Sequence, residues 1–186
     1  MDTIPLLIPL FVLAVVSLTV AAGDDVGCPG APSMSVEAAC RKACGTQLMY
    51  DVCRDALRDV PDPSASHDVT EYALAAARGA LASEAATMDV SIQLLYNASI
   101  SGDEKAAYME CVQSYTAATE AISNVQGNLP ICSFDGLAAD YKNGLLHLEN
   151  CRDRVIKLAA SPLYAMVLVD RNKAVLAFFL GQLLGI

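Results

Sequence analysis

From Leu74 to the C-terminus, apolar positions recur three or four residues apart and nowhere alternate in strand fashion for more than a few residues. One stripe reads Leu74, Ala77, Leu81, Ala85, Met88, Ile92, Leu95. A second reads Tyr108, Cys111, Tyr115, Ala118, Ile122, Val125, and a third Leu137, Tyr141, Leu145, Leu148, Cys151, Val155, Leu158. Each predicts the inward face of a helix about 20 to 30 residues long. A fourth helix is predicted to start after Ser161, its cap, with Pro162 in the first position, and to run to about Leu184. Abundant alanine and scarce β-branched runs agree. Ser101-Gly102-Asp103 divides the first helix from the second, with Asp103 and Glu104 suited to a helix N-terminus. Gly127-Asn128-Leu129-Pro130 is expected to end the second, and Ala160-Ser161-Pro162 precedes the last. Short connections between long helices make neighbours antiparallel, so the fold class is all-α, an up-down-up-down four-helix bundle over about residues 68–184.

Ahead of it, about residues 35–58 form a shorter helical hairpin broken at Gly45-Thr46, and Pro61-Asp62-Pro63 separates hairpin from bundle. A hairpin turning between residues 46 and 47 sets position 40 opposite 53, while Cys44 faces residue 49. This favours a Cys40–Cys53 bridge and leaves Cys44–Cys53 as the alternative. Cys111 and Cys151 fall on inward stripes of consecutive antiparallel helices; their bridge would close about 40 residues and stabilise by roughly 3 to 4 kcal/mol. Cys28, Cys132 and the unused member of Cys40/Cys44 have no assigned partner.

Composition changes the picture at the N-terminus. The chain is 54% apolar, with a mean hydropathy of +0.40. Much of the excess lies between Thr3 and Ala22, which contains no charged residue. The apolar run Ile4–Val20 ends in Val20-Ala21-Ala22-Gly23, small residues placed as signal peptidase requires, and acidic chain follows at Asp24-Asp25. The n-region departs from the usual pattern in having Asp2 and no Lys or Arg. The expectation is a signal peptide over residues 1–22, a mature domain over 23–186, and secretion. An oxidising destination makes the seven cysteines a disulfide framework with one thiol over, which leaves a disulfide-linked dimer open beside a monomer. Asn97-Ala98-Ser99 is the only N-glycosylation sequon, so Asn97 is the candidate glycan site.

Twelve basic and 21 acidic residues give a net charge of −9, which disfavours nucleic acid and anionic membrane surfaces as partners. The stretch from Gly79 to Tyr141 holds eight acids and one base, Lys105, and predicts an acidic face. There are two histidines, His67 and His147, and no G-x-S-x-G, H-E-x-x-H or phosphate-cradling glycine loop. His147 lies one helical turn before Cys151, but a cysteine committed to a disulfide is no ligand. No bundle helix carries the E-x-x-H pair of di-iron bundles. The expectation is no enzyme activity, no metal and no cofactor.

The chain resembles the plant invertase and pectin methylesterase inhibitors over essentially the whole mature sequence. The residues that carry this are Cys40-Arg41-Lys42-Ala43, Tyr50-Asp51-Val52-Cys53-Arg54-Asp55-Ala56-Leu57, and Tyr108-Met109-Glu110-Cys111-Val112-Gln113-Ser114-Tyr115 with Ala118 and Ala121. Cys151-Arg152-Asp153 and Val169-Asp170-Arg171-Asn172-Lys173-Ala174-Val175 complete the pattern. The opening Cys-Arg-Lys-Ala and the Tyr-Asp-x-Cys look closest to the branch that includes the plane-tree pollen allergen. Three cysteines are extra to the pattern. Lys142-Asn143-Gly144-Leu145 replaces its small-residue stretch, and Ser133-Phe134-Asp135-Gly136 stands where some invertase inhibitors carry Pro-Lys-Phe.

The resemblance implies a helical hairpin bridged by one disulfide, packed on a bundle bridged by another. It also implies a protein that inhibits by covering the cleft of a cell-wall enzyme in the apoplast. Pectin methylesterase is the first target, since the invertase-type tripeptide is missing, and invertase the second. The outward stripe of the second bundle helix, Glu110, Gln113, Ala117, Glu120 and Asn124, is the expected inhibitory surface. A remote alternative is an apolar-ligand carrier, although the adjacent Cys-Cys and Cys-x-Cys of such plant proteins are absent. Another is a lipid anchor replacing the apolar tail Ala174–Ile186, for which a core helix is the better account.

Overall fold

The computed structural model describes residues 27–158 and 161–186. The expected signal peptide, and Ala159-Ala160 of the alternative anchor site, lie outside the described residues.

Two short helices, α1 (Val36–Ala43) and α2 (Gln47–Ala56), form the hairpin, capped by the Ser35 and Thr46 hydroxyls, which accept from the main-chain N–H of Ala38 and Met49. The chain then crosses to a minimal antiparallel pair, β1 (Ser33–Met34) with β2 (His67–Asp68), in which Ser33 faces Asp68 and Met34 faces His67. Asp68 caps α3 (Val69–Leu95) through Thr70 N–H and also accepts from Cys28 N–H, which ties the N-terminal segment to the bundle entrance. Ser101 and Glu104 close a reciprocal capping box on α4 (Gly102–Asn128). α5 (Leu137–Val155) and α6 (Leu163–Gln182) complete the bundle. Among the described residues no helix is long and apolar enough to cross a membrane.

Helices α3–α4, α4–α5, α5–α6 and α6–α3 pack side by side, the square of an up-down-up-down bundle. Cys111 is bridged to Cys151, while further along the same pair of helices Gly144 meets Ile122, so α4 and α5 run antiparallel. The hairpin rests on α6 and α3, and its Cys40 and Cys53 are bonded to each other. A third bridge joins Cys28 to Cys132 across 104 residues, and Cys44 is a free, half-buried thiol.

The second bundle helix ends at Asn128, within the expected stop Gly127-Asn128-Leu129-Pro130, and a 3-10 turn, Leu129–Ile131, carries the chain on to Cys132, whose φ of +56° ends the run. Pro130 sits in the first turn of that segment, where its missing N–H leaves no bond unmade. Ser161 Oγ accepts from Leu163 N–H, and Pro162, helical in its dihedrals, stands immediately before α6 and not as its first residue; α6 ends at Gln182, close to the expected Leu184, and the chain turns off through Gly185 at φ +87°.

The expectation that needs correction is the inward stripe of α3. The stripe Leu74, Ala77, Leu81, Ala85, Met88, Ile92, Leu95 holds only at its start. Beyond Ala77 the fully buried positions are Ala80, Glu84, Thr87 and Ser91, while Leu81, Met88, Ile92 and Leu95 are half-buried and Ala85 is exposed. Ala73, Ala76, Ala77 and Ala80 let α3 approach its neighbours closely, and a straight helix then carries the polar residues inward. On α4, by contrast, all six expected positions are buried, and on α5 Leu137, Tyr141, Leu148, Cys151 and Val155 are.

The polar layer has partners for part of its surface. Tyr115 of α4 donates its hydroxyl to Asp170 Oδ2 of α6 at 2.6 Å, and Ser91 donates to the carbonyl of Thr87. Burial, and next the Asp170 charge, push the Tyr115 hydroxyl far above its ordinary range, so it remains a donor at every accessible pH. Tyr115→Phe is therefore expected to lower unfolding stability by about 1 to 3 kcal/mol, measured by urea titration. An unchanged midpoint would mean that Asp170 finds another donor.

Candidate functional site: the α4–α5 face

The capping box and the bridge to Cys151 fix α4, and its outward residues meet those of α5 along a shallow groove of about 780 Å³. From α4 the groove takes Glu110, Gln113, Ser114 and Ala117; from α5 it takes His147, Asn150, Asp153 and Arg154, with Lys157 just beyond the helix end. Glu110 is half-buried and ion-paired to Arg154 across the groove. Of the expected inhibitory residues, the structure thus brings together Glu110, Gln113 and Ala117. Glu120 and Asn124 are exposed further along α4, outside the groove, and the Asn124 carbonyl accepts from Asn128 Nδ2.

The α5 half of this face was not foreseen. Its signal is present in the sequence: His147, Asn150, Arg154 and Lys157 recur at helical spacing opposite the core residues Leu148, Cys151 and Val155.

The acidic run reaches the surface only in part. Glu84 is buried, Glu104 is engaged in the capping box and Glu110 is paired with Arg154, while Asp89, Asp103, Glu120 and Asp135 are exposed. Together with Lys157, Arg154 leaves the groove mixed in sign. Neighbouring pairs extend the pattern: Glu149 meets Arg152 on α5 and Arg171 on α6. These half-buried pairs tie α5 to α6 at the surface.

Asn97 is exposed in the α3–α4 connection, where its side-chain oxygen accepts from Ser99 N–H at 2.9 Å. His67 contacts the Asp62 carbonyl at 3.1 Å and Glu71 at 3.6 Å, near β2. Among the described residues, no three His, Cys, Asp or Glu side chains are grouped to hold a metal ion. A second depression, about 530 Å³, lies between α2 and the α3–α6 face, its apolar lining including Leu48, Val52, Ala56, Ala76 and Leu176.

No family model matches the sequence, and no curated protein does. Solved structures do match the fold. A mutant form of a pectin methylesterase inhibitor from Arabidopsis superimposes with a TM-score of 0.67 at 17% identity, over 81% of this chain and 98% of that one. A pectin methylesterase inhibitor from Arabidopsis thaliana gives 0.60 at 17% identity, over 80% and 95%. The hairpin on a four-helix bundle described above is thus the fold of the pectin methylesterase inhibitors, shared across nearly their whole length.

Proposed function

We propose that this protein is a secreted, non-enzymatic inhibitor that covers the active-site cleft of a plant cell-wall carbohydrate-active enzyme. Pectin methylesterase is the preferred target and invertase the alternative. The observation that carries this reading is the likeness in fold to pectin methylesterase inhibitors over 98% and 95% of their chains. The α4–α5 face supports it: two helices joined by a disulfide offer a preorganised surface, and a stable complex needs about 800 Å² per partner.

Inhibition then requires no chemistry of the inhibitor's own. Gln113, Ser114 and Asn150 offer hydrogen-bonding groups, and half-buried Ala117 leaves room for a side chain of the enzyme. Secretion, a glycan on exposed Asn97 and a monomeric state belong to the same reading. Burial raises the Cys44 thiol above its usual range, which disfavours the thiolate needed for bridging two molecules.

The test is titration of the oxidised mature protein against pectin methylesterase and against invertase. Stoichiometric loss of pectin methylesterase activity alone supports the first target, and loss of invertase activity alone moves the target to the second. Failure against both, or turnover of a carbohydrate by the protein itself, overturns the reading. Because the groove is mixed in sign, affinity is expected to change little between low and moderate ionic strength. A steep fall with salt would place the contact on exposed acids such as Glu120 instead. The carrier alternative would use the depression beside α2, and binding of a fluorescent fatty acid that Ala76→Leu abolishes would favour it.

A further inference from the structure

Glu84 is 0% exposed, and neither of its carboxyl oxygens has a hydrogen-bond partner. On α6, Asp170 is 1% exposed and has both oxygens engaged, Oδ1 by the Ser83 hydroxyl at 2.5 Å and Oδ2 by that of Tyr115. The bundle core therefore holds two acids, one fully solvated by hydroxyls and one by nothing. α4 contributes Tyr115 and Thr119, and the Thr119 hydroxyl also lacks a partner. Across the bundle, α5 turns Gly144, Leu148 and the bridged Cys151 inward, none of which titrates. The cations nearest along α6 are placed elsewhere: Arg171 pairs with Glu149, and Lys173 lines the depression beside Ala76. Among the described residues no cation is placed to neutralise the pair, and two like charges buried in one core strongly oppose double ionisation.

We propose that Glu84 and Asp170 form a proton-keyed lock between α3 and α6, closed while Glu84 carries a proton and loosened when it ionises against Asp170. Burial first, and the Asp170 carboxylate second, raise the Glu84 pKa to about 8 from 4.5, against a smaller opposing effect of Thr119. The unfolded chain gives up this proton near 4.5 and the folded chain near 8, so folding takes up a proton between those values. The stability contributed by Glu84 is accordingly full below pH 4.5 and falls as pH rises. The folded-to-unfolded ratio drops about tenfold per unit until the folded group also ionises. A small depression lined by Ser83, Thr87, Met166, Val169 and Asp170 reaches Asp170 and leaves Glu84 covered. Tyr115 links the same pair to α4, so loosening reaches the α4–α5 face whatever enzyme that face covers.

Urea unfolding from pH 4 to 9, with disulfides intact, tests the lock in the unsubstituted protein, in Glu84→Gln and in Asp170→Asn. The expected result is a roughly tenfold loss per pH unit between about pH 5 and 8 in the first. Glu84→Gln should abolish that slope, and Asp170→Asn should end it at a lower pH by removing the second charge. Infrared spectra supply a readout independent of folding in the variants: a protonated-carboxyl band should persist at pH 7 in the unsubstituted protein. The same descending slope in Glu84→Gln, or no protonated carboxyl at pH 7, overturns the proposal.

Discussion

Replacing Ala117 with tryptophan is expected to weaken inhibition of pectin methylesterase by at least about 100-fold, equivalent to about 2.7 kcal/mol of binding free energy. Ala117 is half-buried on α4, at the contact with α5, and its neighbours Gln113, Ser114 and Asn150 are the polar groups of the groove. An indole there stands above the surface and holds the enzyme away from all of them, so the loss is one of fit across the whole contact. Single-residue effects of this size are common where the centre of an interface is disturbed. The fold should not notice, because the Ala117 side chain points away from the core stripe Tyr115, Ala118 and Ile122. Ala86→Trp, on the exposed face of α3, is the control, and its inhibition should match that of the unsubstituted protein. Full inhibition by Ala117→Trp with an unchanged melting temperature would remove the α4–α5 face from the mechanism. Fold likeness would then remain as the sole support for the inhibitor reading.

The parts of this molecule that could be read from sequence are those where a residue's place depends on its own helix. The α4 stripe is the clearest: Tyr108 to Val125 recur at 3 and 4, and every one is buried. The hairpin bridge was legible for a related reason. Its turn at Gly45-Thr46 is short, so counting outward sets Cys40 against Cys53 without reference to the rest of the chain. Where placement depends on a second helix, the reading fails. Glu84 counts among the eight acids of the expected acidic face, yet it is buried. Its neighbour Ser83 bonds Asp170, 87 residues away in sequence, and no pattern within α3 reports that contact. The α4–α5 groove was half legible on the same grounds, its α4 side being visible once the core stripe was known. Its α5 side needed the knowledge that His147 and Lys157 turn toward α4 and not toward α6.

Cys28 and Cys132 are the extreme case of that limit, and they carry the second large prediction. Cys28 lies in an irregular segment before β1, and Cys132 follows the 3-10 turn after α4, so neither has a periodic setting from which a partner could be inferred. Their bridge closes 104 residues, against 40 for Cys111–Cys151 and 13 for Cys40–Cys53. If disulfides act mainly by restricting the unfolded chain, removing these pairs one at a time should lower stability by about 5, 4 and 3 kcal/mol in that order. The Cys40–Cys53 bridge lies inside the longest loop and shortens it only slightly, which leaves the order intact. Native contacts point the same way, since Cys28 N–H also bonds Asp68, the cap of α3, so freeing the segment weakens the start of that helix. Urea unfolding of Cys28→Ala with Cys132→Ala, beside the two other double variants at one pH, measures the series. A smaller loss for the 104-residue bridge than for the 13-residue one would contradict the loop-entropy account and indicate that the unfolded chain already holds these ends together. Inhibition should survive in this variant below its lowered melting temperature. Cys132 follows the C-terminal end of α4, whereas Glu110 and Gln113 lie in its first half and Ala117 near its middle, beside the retained bridge from Cys111 to Cys151. Stability and inhibition are thus expected to separate along the length of a single helix.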